Sequence, residues 1–191
     1  MTDPAIGAVA PLRMLTVCSH NRTRSVMMAA LFERMLIDQM GAGHVLVRSS
    51  GFGPPGLPAI DDAVRAMRRR GLDVSQHRST ATTSALVDGA DVIITAERDH
   101  VVKIASLSPA AFRRAMTLPE FLARAADDPA PHDGGVRTWV ESLTAARTAA
   151  GYLRDPIPEV ADPTGSSLRA FEAATAEIER QCAEASAFLA R

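Results

Sequence analysis

Cys18 and Arg24 are separated by five residues in the stretch Val17-Cys18-Ser19-His20-Asn21-Arg22-Thr23-Arg24-Ser25. The apolar run Met14-Leu15-Thr16-Val17 precedes it, and the amphipathic run Val26 to Leu36 follows. That order reads as buried strand, tight loop, helix. A loop that ends at a helix start presents free backbone N–H groups to an anion, backed by the helix dipole. Arg24 adds a planar fork able to hold two anionic oxygens at once. The nucleophilic form of a cysteine is the thiolate, which a positive environment favours. The stretch therefore reads as an anion cradle that carries its own nucleophile. The competing reading of Cys18 is a buried core cysteine, the commoner fate of an isolated thiol.

Attack of a thiolate on a phosphate monoester needs donors matched to the phosphoryl oxygens, an acid for the departing alcohol, and a route for hydrolysing the thiophosphate. Ser19, His20, Asn21, Arg22 and Thr23 would line the substrate, and Arg24 would hold its oxygens. The hydroxyl of Ser25 would donate to the sulfur. The acid must come from elsewhere in the chain.

The remaining elements indicate where the loop sits. Strands are expected at about Leu12–Val17, His44–Ser49 and Ala90–Thr95, with a weaker one at Ala115–Leu118. Helices are expected from the loop to Met40, from Asp61 to Arg70, over Thr80–Val87, from Asp99 to Leu107, over Pro119–Ala126, over Val136–Leu153, and over Leu168–Leu189. Strands alternating with helices predict an α/β fold: a three-layer, doubly wound parallel sheet of about four strands with helices on both faces. Ligands of such sheets bind beyond the carboxyl ends of the strands, where the loop after the first strand lies. Residues 1–11 are expected to form a flexible tail and 12–191 a single domain, with 127–155 as a candidate insertion or lid.

The 191 residues carry 21 Lys plus Arg against 22 Asp plus Glu, so no global basic field for nucleic acid exists. Two cysteines, Cys18 and Cys182, make no disulfide framework and suit a reducing compartment. No signal-peptide pattern opens the chain and no apolar run is long enough to span a bilayer, which predicts a cytoplasmic protein. His20, His44, His77, His100 and His132 show no ligand-like spacing, so neither a metal nor another cofactor is expected.

The motif Cys-x5-Arg-Ser after an N-terminal strand, with Asn21 inside the loop, resembles the low-molecular-weight protein tyrosine phosphatases. The resemblance continues through Val47-Arg48-Ser49-Ser50-Gly51, Gly71-Leu72-Asp73-Val74-Ser75-Gln76-His77-Arg78, and Ala90 to Ile94 with Ala96-Glu97-Arg98-Asp99-His100. Met116-Thr117-Leu118-Pro119-Glu120-Phe121 is similar to a segment of the longer bacterial members. Asp162-Pro163, with Phe171 nine residues on, resembles the loop entering the family's last helix. The resemblance implies a phosphatase acting on phosphorylated protein, with Asp162 as general acid and then general base. It also implies that Asn21, Ser49 and His77 support the loop through buried hydrogen bonds. Asp155 heads a second Asp-Pro pair and is the alternative acid. Ser49 could equally end a strand, and His77 could be an exposed linker residue.

The chain departs from the family pattern inside the loop. His20 stands where glycine is usual, Thr23 where a second cysteine is usual, and Arg22 where the family has a small or aliphatic residue. Thr164 replaces the aromatic residue that commonly follows Asp-Pro, and Phe52, Trp139 or Tyr152 are the candidates for an aromatic wall. Two alternatives follow: an arsenate reductase of the same fold using an external thiol, or a silent phosphate-binding module.

Overall fold

The computed structural model describes residues 10–129 and 134–191. Most of the expected tail, His132 and the middle of the turn-rich segment after Asp127 lie outside the described residues.

Four strands, β1 (Leu12–Cys18), β2 (Val45–Gly51), β3 (Val92–Thr95) and β4 (Ala115–Thr117), form one sheet in the order β2-β1-β3-β4. All three pairings are parallel, with Cys18 opposite Gly51 and Val17 opposite Thr95. The described helices are α1 (Arg24–Met40), α2 (Asp61–Arg68), α3 (Ser84–Gly89), α4 (Arg98–Leu107), α5 (Leu118–Asp127), α6 (Gly135–Ser142), α7 (Ala149–Arg154) and α8 (Leu168–Leu189). A 3-10 turn at Pro109–Arg113 precedes β4.

Two apolar layers sandwich the sheet. On one face Met14, Val92, Ile94 and Met116 pack with Phe32 and Leu36 of α1, Phe121 of α5, Trp139 of α6 and Ile178 of α8. On the other, Leu15, Val17, Ile93 and Ala115 meet Val87, Val101, Ile104 and Tyr152. Alternate residues of each strand thus enter opposite cores, as the period of two demands. The three-layer parallel fold expected above is the one observed.

Two elements differ from expectation. The short helix begins at Ser84, not Thr80, because the Thr83 hydroxyl accepts the Leu86 N–H and caps it there. The preceding residues are held instead by β2: Gly51 N–H donates to Thr80 O at 2.9 Å and Thr82 N–H to Gly51 O at 2.8 Å. The single helix expected over Val136–Leu153 is two helices, α6 and α7, separated by a turn. Thr148 caps α7 by accepting the Gly151 N–H, and Thr144 Oγ1 donates to Arg113 O at 2.5 Å. The turn drops Arg147 into the protein, where its guanidinium lies 4.1 Å from the Phe112 ring centroid and bonds Glu120 Oε1 at 3.3 Å. The described part of 127–155 thus contributes core side chains, Trp139 and Tyr152 among them.

Strand order reverses at β1, whose neighbours are β2 on one side and β3 on the other. The crevice at the carboxyl ends of β1 and β3 is the switch point where ligands of such sheets bind. Cys18 closes β1 there.

Candidate active site

Cys18 is the last residue of β1 and Arg24 the first of α1, so the five residues between them turn the chain directly from strand to helix. Asn21 takes φ +52°, a left-handed conformation that a non-glycine residue adopts only when held. Three bonds hold it. His77 Nε2 donates to Asn21 O at 2.8 Å, the Thr80 N–H donates to Asn21 Oδ1 at 2.8 Å, and Asn21 Nδ2 donates to Ser25 Oγ at 3.0 Å. Burial holds the His77 imidazole below its ordinary pKa, while its bond to Asn21 acts in the opposite direction.

Ser25 is fully buried, and its Oγ lies 3.0 Å from Cys18 Sγ. Its oxygen accepts from Asn21, and its own proton is available to the sulfur when Cys18 is a thiolate. The result is a chain of donors running Thr80 N–H, Asn21 amide, Ser25 hydroxyl, Cys18 sulfur. Thr16 Oγ1 donates to Ser25 O at 2.8 Å and ties the helix start to β1.

The Arg24 side chain is 4% exposed and anchored on every side. Nη1 donates to Val160 O at 3.0 Å, and Nη2 contacts Asp162 Oδ2 at 3.2 Å and Glu97 Oε1 at 2.5 Å. Asp162 comes from the long connection before α8, and its side chain is half exposed. Its Oδ1 accepts the Thr164 N–H at 3.0 Å, and Thr164 Oγ1 meets Thr23 Oγ1 at 3.3 Å. The Asp-Pro connection is therefore stitched to the loop at both Arg24 and Thr23. Cys18, Ser19, His20, Arg22, Thr23, Arg24, Asp162 and Thr164 line one small hollow.

Asp155 does not line it. Its backbone N–H bonds Gly151 O at the end of α7, and its carbonyl accepts from Arg98. Ser49 is half-buried and lies beside His77 and Thr80, but among the described residues it makes no hydrogen bond to the loop. The loop-holding bond expected of Ser49 is supplied by the Thr80 amide. Parallel pairing explains this: Ser49 lies opposite Thr16, two residue pairs short of the strand end. Trp139 is buried in the core and Tyr152 packs against Phe112, so neither walls the hollow. Phe52 stacks on His100, with ring centroids 5.9 Å apart.

Gly51 and His100 are supporting groups to which the sequence assigned no role, and Phe52 and Arg22 make contacts it did not foresee. A Cβ on Gly51 would stand 2.6 Å from Asn21 N and 2.8 Å from Cys18 O, so the loop rests directly on this glycine. Phe52 N–H donates to Ser19 O at 2.8 Å. Arg22 Nε donates to Pro58 O at 2.7 Å, which holds that side chain at the rim. His100 Nδ1 accepts the Glu97 N–H at 3.1 Å, so the proton sits on Nε2, 3.1 Å from Ser19 Oγ. Burial lowers the His100 pKa to about 4, with the Glu97 carboxylate opposing and Arg24 reinforcing the shift. A glutamate and a histidine three apart at the end of β3 were the available signal, because that end borders the same crevice.

Comparison with known proteins identifies the family. The model of the family described as "Low molecular weight phosphotyrosine protein phosphatase" matches residues 13–157. A 98-residue stretch is 37% identical to "Probable low molecular weight protein-tyrosine-phosphatase EpsP" of Ralstonia nicotianae, covering 51% of this chain and 63% of that protein, under two thirds of its length. A "Protein-arginine-phosphatase" of Geobacillus stearothermophilus is 30% identical over 150 residues, 78% of this chain and 95% of that protein. The solved "YwlE arginine phosphatase from Geobacillus stearothermophilus" superposes with a TM-score of 0.67 at 25% identity, covering 92% of this chain and 91% of that one. The matched family segment spans β1, the loop and the crevice-facing end of β3. With its cysteine and arginine at the two ends of one strand-to-helix loop, the chain belongs to the low molecular weight phosphotyrosine protein phosphatase family, a family of cysteine-based phosphatases.

Proposed function

We propose that the chain hydrolyses phosphate monoesters, protein phosphotyrosine first among them, through a thiophosphate intermediate on Cys18. What carries this reading is the convergence of three groups on one hollow, the Cys18 sulfur, the Arg24 guanidinium and the Asp162 carboxylate 3.2 Å from Arg24, with the buried Ser25 hydroxyl 3.0 Å behind the sulfur.

In the first step the Cys18 thiolate attacks phosphorus and the P–O bond to the leaving group breaks. Protonated Asp162 gives its proton to the departing oxygen. Loop N–H groups and Arg24 hold the non-bridging oxygens as charge redistributes. In the second step Asp162, now a carboxylate, takes a proton from water as that water attacks phosphorus and the P–S bond breaks. The Ser25 hydroxyl stabilises the departing thiolate. Asn21 and His77 keep the loop in the shape that aims its donors, as positioning residues.

Protein phosphotyrosine is preferred over phosphoarginine on the strength of Arg22. A second guanidinium at the rim of the hollow repels a cationic substrate side chain and attracts anionic flanks. A reductase cycling through internal disulfides would need another thiol close by. Cys182 is fully buried in α8, and burial pushes its thiol well above the usual range.

A substrate panel tests the reading. Wild type is expected to release phosphate from p-nitrophenyl phosphate and phosphotyrosine peptides, faster than from phosphoarginine, with inhibition by vanadate. Cys18→Ser and Arg24→Ala are expected to abolish release. Faster release from phosphoarginine would reverse the substrate preference. Arsenite formation from arsenate with an added thiol, and no phosphate release, would favour a reductase. Phosphate binding that survives Cys18→Ala without turnover would indicate a binding module.

A further inference from the structure

The sheet face that carries Leu15 and Val17 is incompletely covered at its β2 edge. Val45 and Val47 point to the α1 side, and alternation sends Leu46 and Arg48 to the opposite face. There the helix that lines the hollow, among the described residues, is α3, six residues long. Leu46 is 41% exposed, a large apolar side chain on a strand with no partner strand beyond most of its length.

Two adjoining hollows follow this uncovered face. One, of about 300 Å³, is lined by Arg13, Leu46, Arg48 and Leu86 among others. The next, of about 360 Å³, shares Arg48 and Leu86 and continues to His77 and Arg78. No carboxylate lines either one. Arg13 is neutralised by Asp91, whose Oδ2 lies 3.6 Å from its Nε. Among the described residues no carboxylate pairs with Arg48 or Arg78, and the Arg78 Nη1 bond goes to the carbonyl of His77. On a chain with formal net charge −1, this groove concentrates two unpaired guanidinium groups around an apolar floor of Leu46 and Leu86.

We infer that this groove is a docking site for an acidic segment of a protein partner, with apolar side chains on Leu46 and Leu86 and carboxylates on Arg48 and Arg78. Charge complementarity selects the occupant: two unpaired cations without a counter-ion repel basic segments and reward acidic ones. An extended peptide suits an open edge strand. The upper end of the groove is His77, whose Nε2 holds Asn21 O, so an occupant lies directly behind the catalytic loop without entering the hollow around Cys18.

The probe is a fluorescein-labelled peptide of glutamates with two interspersed leucines, followed by fluorescence polarisation at low salt with vanadate filling the catalytic hollow. Binding is expected with vanadate present, weakening as salt is added. The Arg48→Glu, Arg78→Glu double variant is expected to lose about tenfold or more in affinity while its p-nitrophenyl phosphate turnover and circular dichroism match wild type. Leu46→Ser is expected to weaken binding independently of salt. Unchanged affinity in the double variant overturns the proposal. So does displacement by vanadate, or equal binding of the lysine counterpart peptide. A dimer that dissociates on the double substitution would assign the groove to a second copy of this chain instead. Peptide binding by a protein that releases no phosphate would count against the function proposed above and leave the groove standing.

Discussion

The Ser25 hydroxyl lies 3.0 Å from the Cys18 sulfur, and its oxygen is already occupied by the Asn21 amide. The Ser25 proton is thus available to a thiolate on Cys18, an arrangement suited to that sulfur as nucleophile and as leaving group. Ser25→Ala is expected to lower kcat by about ten- to a hundredfold, in the range of a lost charge-assisted bond. The loss should fall on the breakdown of the thiophosphate. Stopped-flow release of p-nitrophenol is expected to show a burst in the variant, and a variant without a burst and with wild-type turnover would remove Ser25 from the mechanism.

Asp162 shares the hollow with Cys18, whereas Asp155 closes α7 outside it. Asp162→Ala is expected to reduce kcat by about a hundredfold or more. The loss should be larger for phenyl phosphate than for p-nitrophenyl phosphate, because the poorer leaving group depends more on the acid. Asp155→Ala is expected to leave turnover near wild type. The reverse pattern would transfer the acid role to Asp155.

Gly51 touches the backbone of the loop from beneath. A methyl group there meets Asn21 N at 2.6 Å and Cys18 O at 2.8 Å, and neither backbone atom can move without displacing the cradle. Gly51→Ala is expected to reduce kcat/KM by at least tenfold and to lower stability by about 1–3 kcal/mol, the usual cost of overpacking. Denaturant unfolding monitored alongside phosphatase assays checks both. Gly43, whose Cβ would meet nothing within 4 Å, sits well away from the loop and has φ +93°, so Gly43→Ala should cost stability without changing KM.

His100 links stability to pH. Its pKa is lowered to about 4 in the fold, against an ordinary value near 6.5 once unfolded. The folded state therefore excludes a proton that the unfolded state accepts. The contribution is fully present above about pH 6.5, shrinks as pH falls, and is gone below about pH 4. The shift corresponds to about 3 kcal/mol. Urea unfolding at pH 7, 5.5 and 4 is expected to show this decline, and His100→Gln should flatten it. An equally steep decline in the variant would assign it to other groups, His77 first, since burial lowers its pKa as well.

The division between what was legible in the chain and what was not follows the range of the interactions. Strand, loop and helix around Cys18 were readable because they depend on contiguous residues: an apolar run, a short turn and an amphipathic run. The three-layer parallel fold followed from the same local alternation. Asp162 lies more than a hundred positions from Cys18, and only its resemblance to a family motif suggested a role. Folding brings it to Arg24 through the connection before α8, and the same folding leaves Asp155 at the end of α7.

Ser49 and Thr80 illustrate the limit most directly. The family resemblance offered Ser49, with Asn21 and His77, as a support of the loop, but β1–β2 register puts Ser49 opposite Thr16, and pairing of residues 80–82 with Gly51 brings the Thr80 amide to Asn21. A backbone donor has no signature in residue type. The broken helix at Thr144–Thr148 has the same cause, since the contacts of Arg147 with Glu120 and Phe112 cross the sequence and override a run of good helix formers. The residue pattern was enough to put Cys18 and Arg24 at the two ends of one strand-to-helix loop. The fold was needed to bring Asp162, the Thr80 amide and the His77 imidazole to that loop, because those bonds join strands and connections that meet only when the sheet forms.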